Sequence, residues 1–272
     1  MNWWIIAFVM GAVEGLTEFL PVSSTGHLII AGHLLGFTGS TASVFEVAIQ
    51  LGAIMAVVVL YKERFRSLLY GFLRPKSHAV SGLHGLHGIW LLVLTTLPPS
   101  VAGLLFHSHI KTLFSPLVVA FALAGGAICM LLVEELAARR SARVLSLDTI
   151  TPRLAVGIGC CQCLALCPGF SRSAATIMGG MLLGARRDVA AEYSFIAAVP
   201  LMVAATGYDV IKHWTLFNAA DLPLFAVGTF FSFLFAWLAV KGFIALLAKL
   251  TLRPFAWYRL LLAPLVYLFL VN

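Results

Sequence analysis

Glu14-Gly-Leu-Thr-Glu18-Phe-Leu-Pro21-Val-Ser23-Ser24-Thr25-Gly-His27 is the stretch on which the reading of this chain turns. It lies inside an apolar segment, residues 5–36, yet it carries two carboxylates, a proline, three consecutive hydroxyl residues and a histidine. A second apolar segment, 152–184, is broken near its middle by Pro168-Gly-Phe-Ser171-Arg172-Ser173. Crossing the hydrocarbon core of a bilayer takes about 20 helical residues. The arms on either side of each break are too short for that and too apolar for a solvated loop. Broken backbone at membrane depth is tolerated only where protein or a water-filled cavity satisfies its polar groups. Both segments therefore read as re-entrant hairpins.

The rest of the chain supplies the membrane context. Of 272 residues, 61% are hydrophobic and 11% charged, with a mean hydropathy of +1.00. A soluble domain carries roughly 25% charged residues. Six stretches read as full spans: about 43–61, 86–106, 115–134, 190–211, 222–241 and 254–271. The expected fold is an all-α integral membrane protein, one membrane domain over 1–272 with six transmembrane helices and two re-entrant hairpins. The halves echo each other. Glu14 precedes Pro21-x-x-Ser24 as Gln162 precedes Pro168-x-x-Ser171, and Glu46 and Glu192 open the spans that follow. This divides the chain into a first repeat of about 1–106 and a second of about 115–272. Paired broken helices of this kind point to a midplane site between repeats.

Charge orients the chain. The net +7 is gathered between apolar segments: Lys62, Arg64, Arg66, Arg74 and Lys76; then Arg139, Arg140, Arg143 and Arg153; then Arg186 and Arg187; then Lys241, Lys249 and Arg253. Such loops mark the cytoplasmic side. The first hairpin then enters from outside and the second from inside, an inverted topology. There is no solvated basic platform of the kind that binds nucleic acid. The start, Met1-Asn2-Trp3-Trp4, lacks the positive region of a cleavable signal. Cys160, Cys161, Cys163 and Cys167 read as small packing residues, and the remaining histidines (His78, His84, His87, His107, His109 and His213) as loop residues.

The chemistry sits in the two breaks. Glu14 and Glu18 stack on one helical face. A central acidic residue costs about 2.5–3.5 kcal/mol on insertion, so the pair implies a function. Repulsion could protonate one of them for proton transfer, or a divalent cation could keep both ionised. Arg172 in an apolar hairpin needs an anion, and its planar fork suits phosphate or a carboxylate partner. Ser23, Ser24, Thr25, Ser171, Ser173 and Thr176 offer hydroxyls. Ser24 is the candidate nucleophile, with His27 three residues on near enough to act as its base; the sequence leaves open an activated water as the attacking group and a glutamate as the proton carrier. Glu46, Gln162 and Arg259 are weaker candidates; Arg259 could snorkel outward or reach a second phosphate.

These motifs resemble the two signatures of the bacterial undecaprenyl-diphosphate phosphatase family, the bacitracin-resistance proteins. The resemblance extends to Phe45-Glu46, Gln50-Leu51-Gly52 and Gly159 to Gln162, and one departure is Ala174, where glycine is expected. It implies hydrolysis of undecaprenyl diphosphate to the monophosphate, which recycles the lipid carrier of peptidoglycan synthesis. It also implies a dependence on a divalent cation (Mg2+ or Ca2+) and a bacterial cytoplasmic (inner) membrane location with the site on the periplasmic side. Catalysis would fall on Glu14, Glu18, Ser24 and His27, and phosphate binding on Ser171, Arg172, Ser173 and Thr176, with Ser23 and Thr25 beside them. The phosphatidic-acid phosphatase class is excluded, since Met178 stands where its second histidine would be. The competing reading is a transporter or flippase for a lipid phosphate or other anion. Paired glutamates argue against it, because pure anion binding has no use for two added negative charges. The sequence leaves monomer and homodimer both open.

Overall fold

Each of the six expected spans coincides with a helix. A computed structural model describes residues 2–73, 82–212, 221–247 and 249–271. Arg74, Lys76, His78 and His213, named above, lie outside the described residues. The described chain is all-helical: α1 (Trp3–Thr17), α2 (Ser24–Leu34), α3 (Ser40–Leu60), α4 (Lys62–Leu73), α5 (Gly85–Leu105), α6 (His107–Thr112), α7 (Pro116–Ala138), α8 (Pro152–Gln162), α9 (Arg172–Leu182), α10 (Arg187–Lys212), α11 (Leu222–Leu247) and α12 (Arg253–Val271). Five of these, α3, α5, α7, α10 and α11, are long and apolar enough to cross a membrane. The sixth expected span is occupied by α12. Much of the apolar surface faces outward, as with Leu104 at 81% and Ile211 at 80% exposure. In water such a surface would be costly; against lipid it is ordinary.

The four arms of the broken segments are shorter. Fifteen residues in α1 and eleven in α2, α8 and α9 give rises of about 16–22 Å at 1.5 Å per residue, short of a ~30 Å hydrocarbon core. The chain turns between them at Glu18–Ser23 and, after a tight turn over Cys163–Leu166, at Cys167–Ser171. Ser23 (φ 71°) and Ser171 (φ 75°) stand just before α2 and α9, and among the described residues they are the non-glycine residues with positive φ. Such a conformation costs on the order of 1–3 kcal/mol and persists only where the surroundings enforce it.

Packing follows a paired pattern. α1 lies on α11 and α8 on α5; α2 touches α12 and α9 touches α7. α3 packs on α11 and α10 on α5, while α3 meets α10 and α7 meets α12. The α1–α11 approach is close because Gly15 faces the Ser232–Ala236 backbone: a Cβ there would stand 2.8 Å from Ala236 N. Between the two turns the core is aromatic, with Phe19 edge-on to Phe195 at 5.5 Å and Phe170 in the same buried cluster.

Two polar anchors hold the loops. Glu134, at the end of α7, takes Arg187 bidentately (2.6 and 2.8 Å) and the Leu252 N–H (2.6 Å). Asp148 takes Arg64 at 2.6 Å and stands 2.8 Å from His84 Nε2, so His84, in the loop before α5, also serves as an anchor. The Arg64 hydrogen bond holds the Asp148 carboxyl below the usual carboxylate range.

Candidate active site

Helical spacing carries Glu14 and Glu18 onto one face, as expected. Glu18 closes α1, its N–H donating to the Glu14 carbonyl at 2.9 Å, so the stack runs to the last residue of the turn. Glu14 is buried, and both Glu18 and Glu46 stand close enough to act on it electrostatically. Glu18 is the member that faces a cavity. This cavity, about 270 Å³, is lined by Glu18, Ser24, Thr25, Gln50, Ser171 and Arg172 among others.

Inside it the two turns meet. Ser24 donates its hydroxyl hydrogen to Glu18 Oε2 at 2.5 Å, and Arg172 reaches Glu18 Oε1 at a looser 3.4 Å. The Arg172 guanidinium also donates to the Ser194 carbonyl at 3.3 Å and lies 5.4 Å from the Phe19 ring centre. Its Nε is buried without a partner. A buried donor left unmade costs about 1–3 kcal/mol, more for a charged group. Arg172 is therefore a cation short of acceptors, beside a carboxylate already shared with a hydroxyl.

The remaining hydroxyls divide by role. Ser171 caps α9 by accepting from Ala174 N at 3.3 Å, while Ser23 makes no capping bond to α2. The first N–H groups of α2 thus keep their capacity for another acceptor. Ser173 is fully buried and donates to the Leu20 carbonyl at 2.8 Å, tying the second turn to the first. Thr176 is fully buried too, 2.6 Å from Ser194 Oγ and bonded back to the Arg172 carbonyl. Both sit behind the cavity, where the sequence reading had them touching phosphate.

His27 is turned away from Ser24. Its Nδ1 is 2.7 Å from the Ser23 carbonyl, which makes that nitrogen the donor. Nε2 then accepts from the Tyr258 hydroxyl at 2.6 Å, with the two rings stacked at 8°. Tyr258 was not a candidate from sequence; its place in an apolar helix more than two hundred residues away gave no signal.

Arg259 fulfils neither expectation. It does not snorkel and does not face the cavity, being fully buried. It donates to four backbone carbonyls: Leu123 (3.2 Å), Ala122 (3.2 Å), Gly169 (3.1 Å) and Pro21 (3.5 Å). The space for it exists because residue 126 is glycine, whose absent side chain would occupy the guanidinium position. One cation thus fastens both turns to α7. Gln162 is buried at 2% exposure beneath the second turn, and neither of its amide atoms has a hydrogen-bond partner.

Among the described residues no group of three or more His, Cys, Asp or Glu side chains could hold a metal ion. Glu18 with Glu14 behind it still suits a hard cation of the magnesium kind, which is held by one or two carboxylates and completed by substrate phosphate oxygens.

Comparison with known proteins gives one answer over the whole chain. Residues 7–265 match the family described as bacitracin resistance protein BacA. The chain is 67% identical over 267 residues to an undecaprenyl-diphosphatase of Nitratidesulfovibrio vulgaris, covering 98% of both proteins. It is 65% identical over 264 residues to one of Maridesulfovibrio salexigens (97% of both) and 61% over 268 residues to one of Lawsonia intracellularis (98% of both).

Proposed function

The chain belongs to the bacitracin resistance protein BacA family, and from that premise we propose that its two turns form the site where undecaprenyl diphosphate is hydrolysed to undecaprenyl phosphate and inorganic phosphate. It is a multi-pass membrane phosphatase. The observation that carries the site assignment is Arg172, a buried cation with an unpartnered Nε beside the Ser24–Glu18 hydrogen bond. A phosphate group supplies the acceptors that Arg172 lacks.

The chemistry follows from who holds the Ser24 proton. Glu18 Oε2 accepts it at 2.5 Å, so Glu18, and not His27, is the base at this hydroxyl. As Ser24 Oγ bonds to the terminal phosphorus, the bridging P–O bond breaks and undecaprenyl phosphate leaves with the bridging oxygen. Arg172 and the uncapped N–H groups of α2 bear the charge on the phosphoryl oxygens, the main task in phosphoryl transfer. Water then cleaves the phosphoserine, releasing phosphate and returning the proton to Ser24. A divalent cation held by Glu18 and Glu14 would add neutralising charge on the diphosphate. Thr25, exposed at the cavity rim, and Gln50 bound the entry.

The finer architecture belongs to the same reading. Four arms too short to span, placed around one cavity, support two re-entrant hairpins. The paired packing of α1, α2, α3, α5 and α7 with α8, α9, α10, α11 and α12 supports an inverted repeat, with α7 grouped in the first unit. Three long helices then separate the hairpins, and the basic loops put the first hairpin's opening on the periplasmic face.

The test is Ser24→Ala, assayed by phosphate release from undecaprenyl diphosphate and by trapping phosphoenzyme in the wild type. Loss of at least a hundredfold in turnover, with phosphate recovered on Ser24, is expected. Near-normal turnover in Ser24→Ala would falsify the covalent step and leave water as the attacking group.

A further inference from the structure

A second cavity, of about 1010 Å³, lies where α7 and α11 end and α10 begins. Its lining has two characters. It is lined by the apolar Leu182, Leu183 and Leu247 and by Arg140, Arg143, Arg186 and Arg187, against a single acid, Asp188. Two of these arginines are already spent. Arg186 is held bidentately by Asp188 (2.6 and 2.7 Å) and Arg187 by Glu134. Among the described residues neither Arg140 nor Arg143 has a carboxylate at ion-pair distance.

The cavity is a built feature and not a loose loop. Arg143 N and Val144 N both donate to the Gly184 carbonyl (2.8 and 3.0 Å), and Arg186 N donates back to the Val144 carbonyl at 2.9 Å. This small bridge clamps the segment bearing Arg140 and Arg143 onto the turn after α9. Gly184, at φ 96°, lets the turn form. The ends of three candidate spans, α7, α10 and α11, meet here, so the cavity sits at the level of the membrane surface. Basic pockets between spans at that level are where anionic lipid headgroups bind.

We propose that this cavity binds the phosphate of an anionic phospholipid, with Arg140 and Arg143 on the headgroup and the acyl chains along Leu182, Leu183 and Leu247. A free phosphate would use the two guanidinium groups but not the leucines. The site is separate from the cavity between the turns, so its occupancy does not depend on the hydrolytic reading.

The test is native mass spectrometry of the full chain in an uncharged detergent, titrated with phosphatidylglycerol, phosphatidylcholine or sodium phosphate. Arg140→Gln/Arg143→Gln is compared with a control of equal charge loss, Arg66→Gln/Arg153→Gln. Wild type and control are expected to retain phosphatidylglycerol but not phosphatidylcholine. The cavity variant is expected to bind it at least tenfold more weakly, with unchanged melting temperature and phosphate release. Equal losses in both variants would reduce the effect to general surface charge and overturn the site. Competition by millimolar sodium phosphate would overturn the lipid and leave an inorganic anion site.

Discussion

The two turns share a backbone and divide the chemistry. Position by position, the first maps onto the second at an offset of 148 residues: Ser23 on Ser171, both at positive φ; α2 ending at Leu34 and α9 at Leu182; Gly36 on Gly184, both at positive φ. Arg259 grips the Pro21 and Gly169 carbonyls, which stand at the same offset. The side chains differ. At that offset Glu14 is matched by Gln162, Glu18 by Leu166, and Ser24 by Arg172. One turn holds the carboxylates and the reactive hydroxyl, the other the cation. The same local conformation thus carries different side chains on the two sides, so that opposite charges meet at one cavity instead of repeating in two.

The largest effect should come from removing the charge that each turn contributes. Arg172→Ala is expected to lower phosphate release about a thousandfold, and Glu18→Gln at least a hundredfold, with the fold retained in circular dichroism. If only one turn proved sensitive, the division of labour would fail. Next comes the link between the turns. Arg259→Met strands four carbonyls and should destabilise the protein by about 3 kcal/mol or more, read as a lower melting temperature in detergent together with lost turnover. A melting temperature equal to wild type would mean the turns hold their spacing unaided.

Tyr258→Phe is smaller and sharper. It leaves the stacked ring but removes the hydroxyl on His27 Nε2, about one hydrogen bond, so a loss of about 1 kcal/mol in stability with kcat close to wild type is expected. A tenfold fall in kcat would instead return His27 to the reaction. The smallest effect separates the caps. Ser171→Ala should cost about 1 kcal/mol of stability, whereas Ser23→Ala, which loses no capping bond, should cost only a few tenths. Equal losses would erase this difference between the turns.

Much of this was legible in the sequence. Pro21 and Pro168 inside apolar runs announced the turns, and six apolar runs announced the long helices. Glu14, Glu18, Ser24 and Arg172 stood out because charge and hydroxyls are costly there. The echo of Glu14 in Gln162 sits at the offset of the two turns, whereas the proline and later acid matches sit at others. Matching Pro-x-x-Ser pairs Ser24 with Ser171, and matching acids pairs Glu46 with Glu192, yet the conformational register pairs Ser23 with Ser171 and places Ser194 opposite Glu46. Proline was the wrong anchor, because Pro21 aligns with Gly169 and the bend is carried by different residues on each side. Ser173 and Thr176 looked like ligands because nothing in a sequence shows a hydroxyl already taken by a carbonyl. Tyr258 and the acceptors of Arg259 were invisible for the same reason: backbone carbonyls bear no signature, and α12 is distant in sequence from both turns.

The grip of Arg259 on both turns also sets an order of assembly. Synthesis runs from the amino end, so both hairpins and α7 are made and inserted before α12 arrives. Until then Pro21 and Gly169 have no shared donor, and the turns are tied only by contacts such as Ser173 to the Leu20 carbonyl. The spacing of the two turns is thus completed only when α12 docks on α7 and brings Arg259 to both.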